Sequence, residues 1–311
     1  MLGLAKGAFC NPGSIHPTTR SRSHAGVTYY NPEVAKRPNL RVVTEAFVES
    51  IILTKADDGE VLAMGVQFTA KDGVQRTVSA ASEVILAAGA IKTPHLLELS
   101  GIGDSKLLQS HGIETVIDNP NVGENLQEHG MVPFSWELAD GQQSAEALLR
   151  NPEVAQAALA AWQQSGAGPL GLCSFVSAHM PLPELQDGEL QGLIQKYLVD
   201  SASSPRLEAQ YRILREILED EDEPTAQYIA APFQINSEKG PSLRDILSFQ
   251  EPGNYLTIIA ALNRPFSQGS VHLDSNDPKK TAYLQPEILL PPAGSGNPRS
   301  TRQVVRDPGV D

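Results

Sequence analysis

Between Glu83 and Gly103 the sequence passes from an apolar run, through three residues with almost no side chain, into a helix-start and helix-stop pattern. Val84, Ile85 and Leu86 follow one another with no polar interruption, the pattern of a short strand buried on both faces in a parallel sheet. Ala87, Ala88 and Gly89 come next, where another molecule can approach the backbone closely. Open α/β sheets bind their ligands at that carboxyl edge. Thr93 is a candidate helix cap, Pro94 suits a first helical position and Gly101 suits a left-handed stop. A strand, a bare edge and a helix amino terminus in this order suit a large anionic ligand. The same small residues would also serve a tight helix–strand packing joint.

Elsewhere the pattern alternates between strand and helix periods. A short helix is expected over 25–30, and 40–44 and 46–54 read as strands. With 61–69 and 77–80 they build an antiparallel meander across turn signals at Ala56-Asp57-Asp58-Gly59 and Lys71-Asp72-Gly73. A helix over 104–110 ends before Gly112. Asn151 and Pro152 open another that Gly166 stops, with Val154, Ala158 and Trp162 on one face. Ser204 and Pro205 repeat the start signal, and Leu207, Tyr211, Leu214 and Leu218 make that helix's buried stripe. The acids of 219–223 oppose the helix dipole, so the helix ends there on a solvated surface. Segments 227–235, 255–262 and 270–273 read as strands of a second sheet, and 286–298, rich in Pro, Gly and Ser, as disordered.

The chain's 311 residues suggest two domains at about 150 residues each. A formal charge of −13 argues against nucleic-acid phosphates and against an anionic membrane surface. No apolar run approaches the ~20 residues of a membrane span. The first residues lack the basic start and apolar core of a signal peptide, and no N-x-[ST] sequon occurs; the expectation is a cytoplasmic chain. Cys10 and Cys173 lie far apart and the histidines follow no ligand spacing, so two buried free thiols and no metal site are expected.

The opening stretch closely resembles the second signature of the glucose–methanol–choline (GMC) family of FAD-dependent oxidoreductases, in the form Gly89-Ala90-x-x-Thr93-Pro94-x-Leu96-Leu97-x-x-Ser100-Gly101-Ile102-Gly103. Ser14-Ile15-His16-Pro17 with Arg22-Ser23 and Tyr30, and Arg37-Pro38-Asn39-Leu40 with Val42-Val43-Thr44, are similar to earlier family blocks. Val122-Gly123-Glu124-Asn125-Leu126-Gln127-Glu128-His129 and Pro265-Phe266-Ser267-Gln268-Gly269-Ser270-Val271-His272-Leu273 are similar to later ones. The likeness runs over 13–278 and is closest to fungal members. Members open with a strand–Gly-rich loop–helix unit and close with a segment bearing a catalytic His. No G-x-G-x-x-G occurs here, since Gly294-Ser295-Gly296 is followed by Asn297-Pro298. The chain looks like the middle of such a protein. The resemblance implies an α/β (α+β) chain: part of an FAD-binding domain over 1–130, part of a substrate domain of antiparallel sheet and helices over 131–285, and a tail over 286–311.

The resemblance also implies FAD as cofactor and a small-molecule alcohol as substrate. It places Val48 in the strand passing the adenine end, Ala88, Gly89 and Ala90 against the flavin, and Asn125 and His129 in a turn beside it. Val48 reads equally as an ordinary half-buried strand residue, and Asn125 and His129 as residues that merely close a turn. His16 either approaches the flavin or substrate channel or is a surface loop residue, while His24, His95, His111, His179 and His272 are assigned structural or exposed roles. Glu128 stands where members usually have Asp, and Gln268 where Arg is commoner, which removes a fixed positive charge. The implied activity is oxidation of a CH–OH donor, as oxidase or dehydrogenase, in a biosynthetic or alcohol-oxidising role. The base, worth about 10²–10⁴-fold, is expected beyond the given residues, so no catalytic residue is assigned. Two alternatives stand beside it: a truncated, catalytically silent fragment, and a non-redox lyase or cyclase on the same fold.

Overall fold

The structure, a computed structural model, describes residues 6–172, 175–181, 187–198, 205–248 and 251–287. The chain starts with β1 (Gly7–Cys10) and two single-turn helices, α1 (Ala25–Thr28) and α2 (Pro32–Ala35). β2 (Phe47–Lys55), β3 (Val61–Thr69) and β4 (Gln75–Ser79) form the expected antiparallel meander. Asp58 and Asp72 close its turns, each accepting the backbone N–H two residues on, from Glu60 and Val74, at 3.0 Å. Next come α3 (Gly89–Leu99), β5 (Ile102–Gly103), α4 (Ser105–Ser110), β6 (Ile117–Asp118) and β7 (Glu124–Leu126). β8 (Met131–Glu137), α5 (Glu146–Arg150), α6 (Pro152–Ser165), β9 (Val176–Met180) and α7 (Asp187–Tyr197) follow. The last elements are α8 (Pro205–Glu219), β10 (Ala226–Ala231), α9 (Leu243–Ile246), β11 (Tyr255–Leu262), β12 (Gly269–His272) and β13 (Tyr283–Gln285).

These elements divide into two units, with one break between Glu128 and His129, beside the expected boundary at 130, and two further breaks, after Leu40 and after Arg264, that a linear reading does not give. One unit joins His129–Arg264 to the described part of Met1–Leu40; the other joins Arg41–Glu128 to the described part of Pro265–Asp311. Backbone pairing dictates this: β1 is an edge strand on β9, and β12 pairs with β7, over a hundred residues upstream. The strand at 269–272 therefore belongs with the α3 unit, a correction to its expected place in the larger sheet.

The first unit is built on an antiparallel sheet in the order β1-β9-β10-β11-β8. Ser177, Ala231, Thr257 and Ala261 are buried on it, while Phe134 and Trp136 on β8 stay 51% and 52% exposed. α6 starts and stops as its sequence dictates. Asn151 accepts the Glu153 and Val154 N–H groups, Pro152 is its first residue, and Gly166 ends it at φ 67°. On α8 Tyr211 and Leu214 are buried and the acids 219–223 are exposed; the proposed cap Ser204 lies outside the described residues. Cys10 is exposed, contrary to expectation, because β1 is an edge strand; Cys173 and the segment from 288 onward also lie outside the described residues.

In the second unit Val271, Ala282 and Leu284 form a small core with Leu126 against it, and Ile51 of β2, Phe68 of β3, Leu96 of α3 and Leu108 of α4 are also buried. Residues 40–44 are not a strand. Nor are 84–86, and Ile85 is 77% exposed. A strand needs a neighbour to take its N–H and C=O groups, and no described strand pairs with this segment.

Candidate functional site

The bare edge after Leu86 is the start of α3, and it begins four residues before the expected Thr93 cap. Ala88 is the N-cap residue and offers no side-chain hydrogen bond, so the first-turn N–H groups that helices leave without internal partners are not met there. Gly89 takes φ +81°, a left-handed conformation that glycine adopts without strain. A Cβ built on Gly89 would meet no atom within 4 Å. Gly89 is therefore not the tight helix–strand joint that was the rival reading: conformation selects it, and open space lies in front of it. Pro94 consequently sits inside the helix.

Two clefts flank this edge, both within the second unit. One, of about 630 Å³, lies between Gly89, Ala90 and Thr93 on α3 and the 122–127 segment, with Asn125 among its lining. Asn125 is held at φ +65°, and its Oδ1 is buried with no hydrogen-bond partner. The other cleft, of about 570 Å³, is lined by Val48 on β2, by Ser79 and Ala80, and by the extended backbone leading to Ala88. Both volumes suit a small-molecule ligand. Of the residues assigned to a cofactor, Val48 and Ala88 line one cleft and Gly89, Ala90 and Asn125 the other. His129 lines neither; it belongs to the first unit, where its Nδ1 lies 2.7 Å from the Leu262 carbonyl. His16 is exposed, and its Nδ1 accepts the Thr18 and Thr19 N–H groups at 3.2 Å.

Behind the first cleft lies an ionic cluster that the sequence reading missed. Glu98 of α3 is fully buried; its Oε1 lies 2.7 Å from His272 Nδ1, and its Oε2 accepts the Leu273 N–H at 2.7 Å. His272 Nε2 lies 3.1 Å from Glu124 Oε1. The hydrogen bond to Glu98 raises the pKa of His272 above the ordinary 6.5, outweighing burial. No local signal could have found this pair, whose members are 174 residues apart. His95, on the same helix, is buried with no partner for Nε2, and burial, then the Lys92 charge, lowers its pKa.

The fold is that of FAD-dependent oxidoreductases. An FAD-dependent oxidoreductase from Chaetomium thermophilum superposes with a TM-score of 0.73 at 22% identity, over 92% of this chain and 47% of that one. A fungal aryl-alcohol oxidase superposes with a TM-score of 0.72 at 25% identity, over 91% of this chain and 47% of that one. The family model of the GMC oxidoreductases matches residues 4–131. Dehydrogenase mpl7 of Monascus purpureus is 33% identical over 287 residues, covering 88% of this chain and 46% of the relative. Oxidoreductase cicC of Emericella nidulans is 28% identical over 280 residues, covering 90% and 41%. The chain thus spans less than half the length of these relatives.

Proposed function

We propose that this chain serves an FAD-dependent oxidation of a CH–OH group on a small-molecule alcohol, in a biosynthetic or alcohol-oxidising role. The observation that carries this reading is the α3 terminus, uncapped and opening onto a cleft where Asn125 Oδ1 lacks a partner. The donor set fits the cofactor. First-turn N–H groups and the positive end of an 11-residue helix favour an electron-rich or anionic group. Asn125 Oδ1 can accept from a ring N–H, and Gly89 and Ala90 let a flat ring approach the backbone. In this reading Val48 and Ala88 contact the remainder of the dinucleotide from the second cleft. When bound, FAD supplies the two-electron acceptor for the alcohol carbon; the residues of this chain bind and orient it. The dehydrogenase and oxidase names of the relatives support the reaction class.

Titration of the purified chain with FAD, followed by flavin fluorescence and visible absorbance, tests the reading. Ala90→Phe is the informative variant, because it fills the cleft without touching the left-handed φ of Gly89 that Gly89→Val would strain. It should weaken FAD uptake by about tenfold or more, equal to about 1.4 kcal/mol. Equal uptake by wild type and variant, or no uptake by the wild-type chain, would overturn the cofactor site. Bleaching of the bound flavin by an alcohol without oxygen separates oxidation from lyase or cyclase chemistry.

A further inference from the structure

Glu98, His272 and Glu124 come from three elements, α3, β12 and β7, each of which also supplies lining to the first cleft. Each nitrogen of the His272 ring faces a carboxylate oxygen, at 2.7 Å and 3.1 Å. A neutral imidazole carries one N–H and one lone pair, so it can satisfy only one of the two; an imidazolium donates to both. The ring packs closely against Gly123, the residue that leads into β7. A Cβ on Gly123 would lie 2.8 Å from His272 Nδ1 and 2.2 Å from the Val271 carbonyl.

We infer that His272 is a positioning residue: as an imidazolium it ties β7 to α3 through the two carboxylates and so fixes the width of the cleft between them. Its two arms are unequal. The Glu98 side chain is 0% exposed and that of Glu124 is 44% exposed. Loss of the ring proton leaves the remaining N–H on Nδ1, because a buried carboxylate deprived of its donor costs far more than a solvated one. The Nε2 lone pair then faces Glu124, whose neighbour in sequence is Asn125. The outer arm opens while the inner arm holds. Glu98 from α3 and Glu124 from β7 face the ring, and Tyr283 of β13 is the strand-pair partner of His272. The raised pKa of the ring fits this arrangement, and its sign sets the direction: the clamp is fully closed below pH 6.5 and is lost as pH rises through the raised value.

The test uses the whole chain with no flavin added, over roughly pH 6 to 9, a range that brackets histidine titration. Proton–nitrogen correlation spectra should show both ring nitrogens of His272 protonated at neutral pH. Amide exchange at Glu124 and Leu126 should lose protection as the ring titrates, beyond the intrinsic rise with base, while the Leu273 amide stays protected. Glu124→Gln should move the ring's titration to lower pH and remove the step in β7 protection, leaving Leu273 protected. His272→Gln should remove the step as well; if that variant does not fold, Glu124→Gln at its part-exposed position decides. A singly protonated ring at neutral pH, or an unchanged step in Glu124→Gln, would overturn the clamp. Failure of FAD uptake would overturn the cofactor reading and leave this result standing.

Discussion

Two helices carry the same proline-led start signal, and the chain begins them differently. At α6, Asn151-Pro152 starts the helix where it is written, with the Asn151 side-chain Oδ1 accepting two first-turn N–H groups. At α3, Thr93-Pro94 is overrun; the helix reaches back to Gly89 and its end is left without a side-chain cap. Their carboxyl ends agree, since each finishes at a left-handed glycine, Gly101 at φ +86° and Gly166 at φ +67°. A cap that closes on its own side chain yields an ordinary scaffold helix. A cap that does not leaves donors free for a ligand, and α3 has an open cleft in front of it. The difference lies in what fixes each helix: α3 is anchored from its far end, where Ser100 Oγ accepts the Ile51 N–H at 2.8 Å and Leu96, His95 and Glu98 are buried.

The glycine stops that the two helices share carry the largest expected effects. A Cβ on Gly101 would lie 2.5 Å from the Glu114 carbonyl oxygen, a backbone atom, and one on Gly166 would lie 2.5 Å from Cγ and 2.9 Å from Cβ of Arg20, the root of that side chain. Gly101→Ala and Gly166→Ala should therefore each destabilise by about 2–3 kcal/mol, measured by urea unfolding, since each adds a clash to a left-handed backbone. Pro94→Ala should stabilise α3 by about 1–2 kcal/mol in the same assay, since it restores an N–H to a helix interior; a loss of stability would mean that the ring is better placed than its backbone suggests. Asn151→Ala should cost about 1 kcal/mol, because two N–H groups lose their acceptor. Ala88→Asp should change stability by less than about 0.5 kcal/mol, because Ala88 has ψ 7° where an effective cap is extended. The smallest effect is expected at Ile85→Ser, within about 0.5 kcal/mol for an exposed position, where a residue buried in a sheet would lose about 2–5 kcal/mol.

Much of the scaffold was legible in the sequence. Asp58 and Asp72 mark their turns through their own side chains, and the Tyr255–Leu262 strand falls where its apolar run stands. Of the six residues assigned to a cofactor, five line two neighbouring clefts and His129 lies in the other unit. The apolar triplet at 84–86 misled because a buried strand and an exposed extended segment differ only in their neighbours. Glycine at 89 also answers a demand with no mark in the local pattern, its positive φ, which is set by how the chain enters α3.

By itself the sequence determined whatever a residue settles with groups a few positions away: the Asx turns, the Asn151 cap, the glycine stops and the ordered blocks that resemble those of the GMC oxidoreductases. Only the tertiary structure decided that β12 joins β7, that α3 runs back to Gly89, and that Glu98 meets His272. Those outcomes depend on hydrogen-bond partners and buried surface contributed from remote parts of the chain, and a local pattern holds no record of which remote group will arrive.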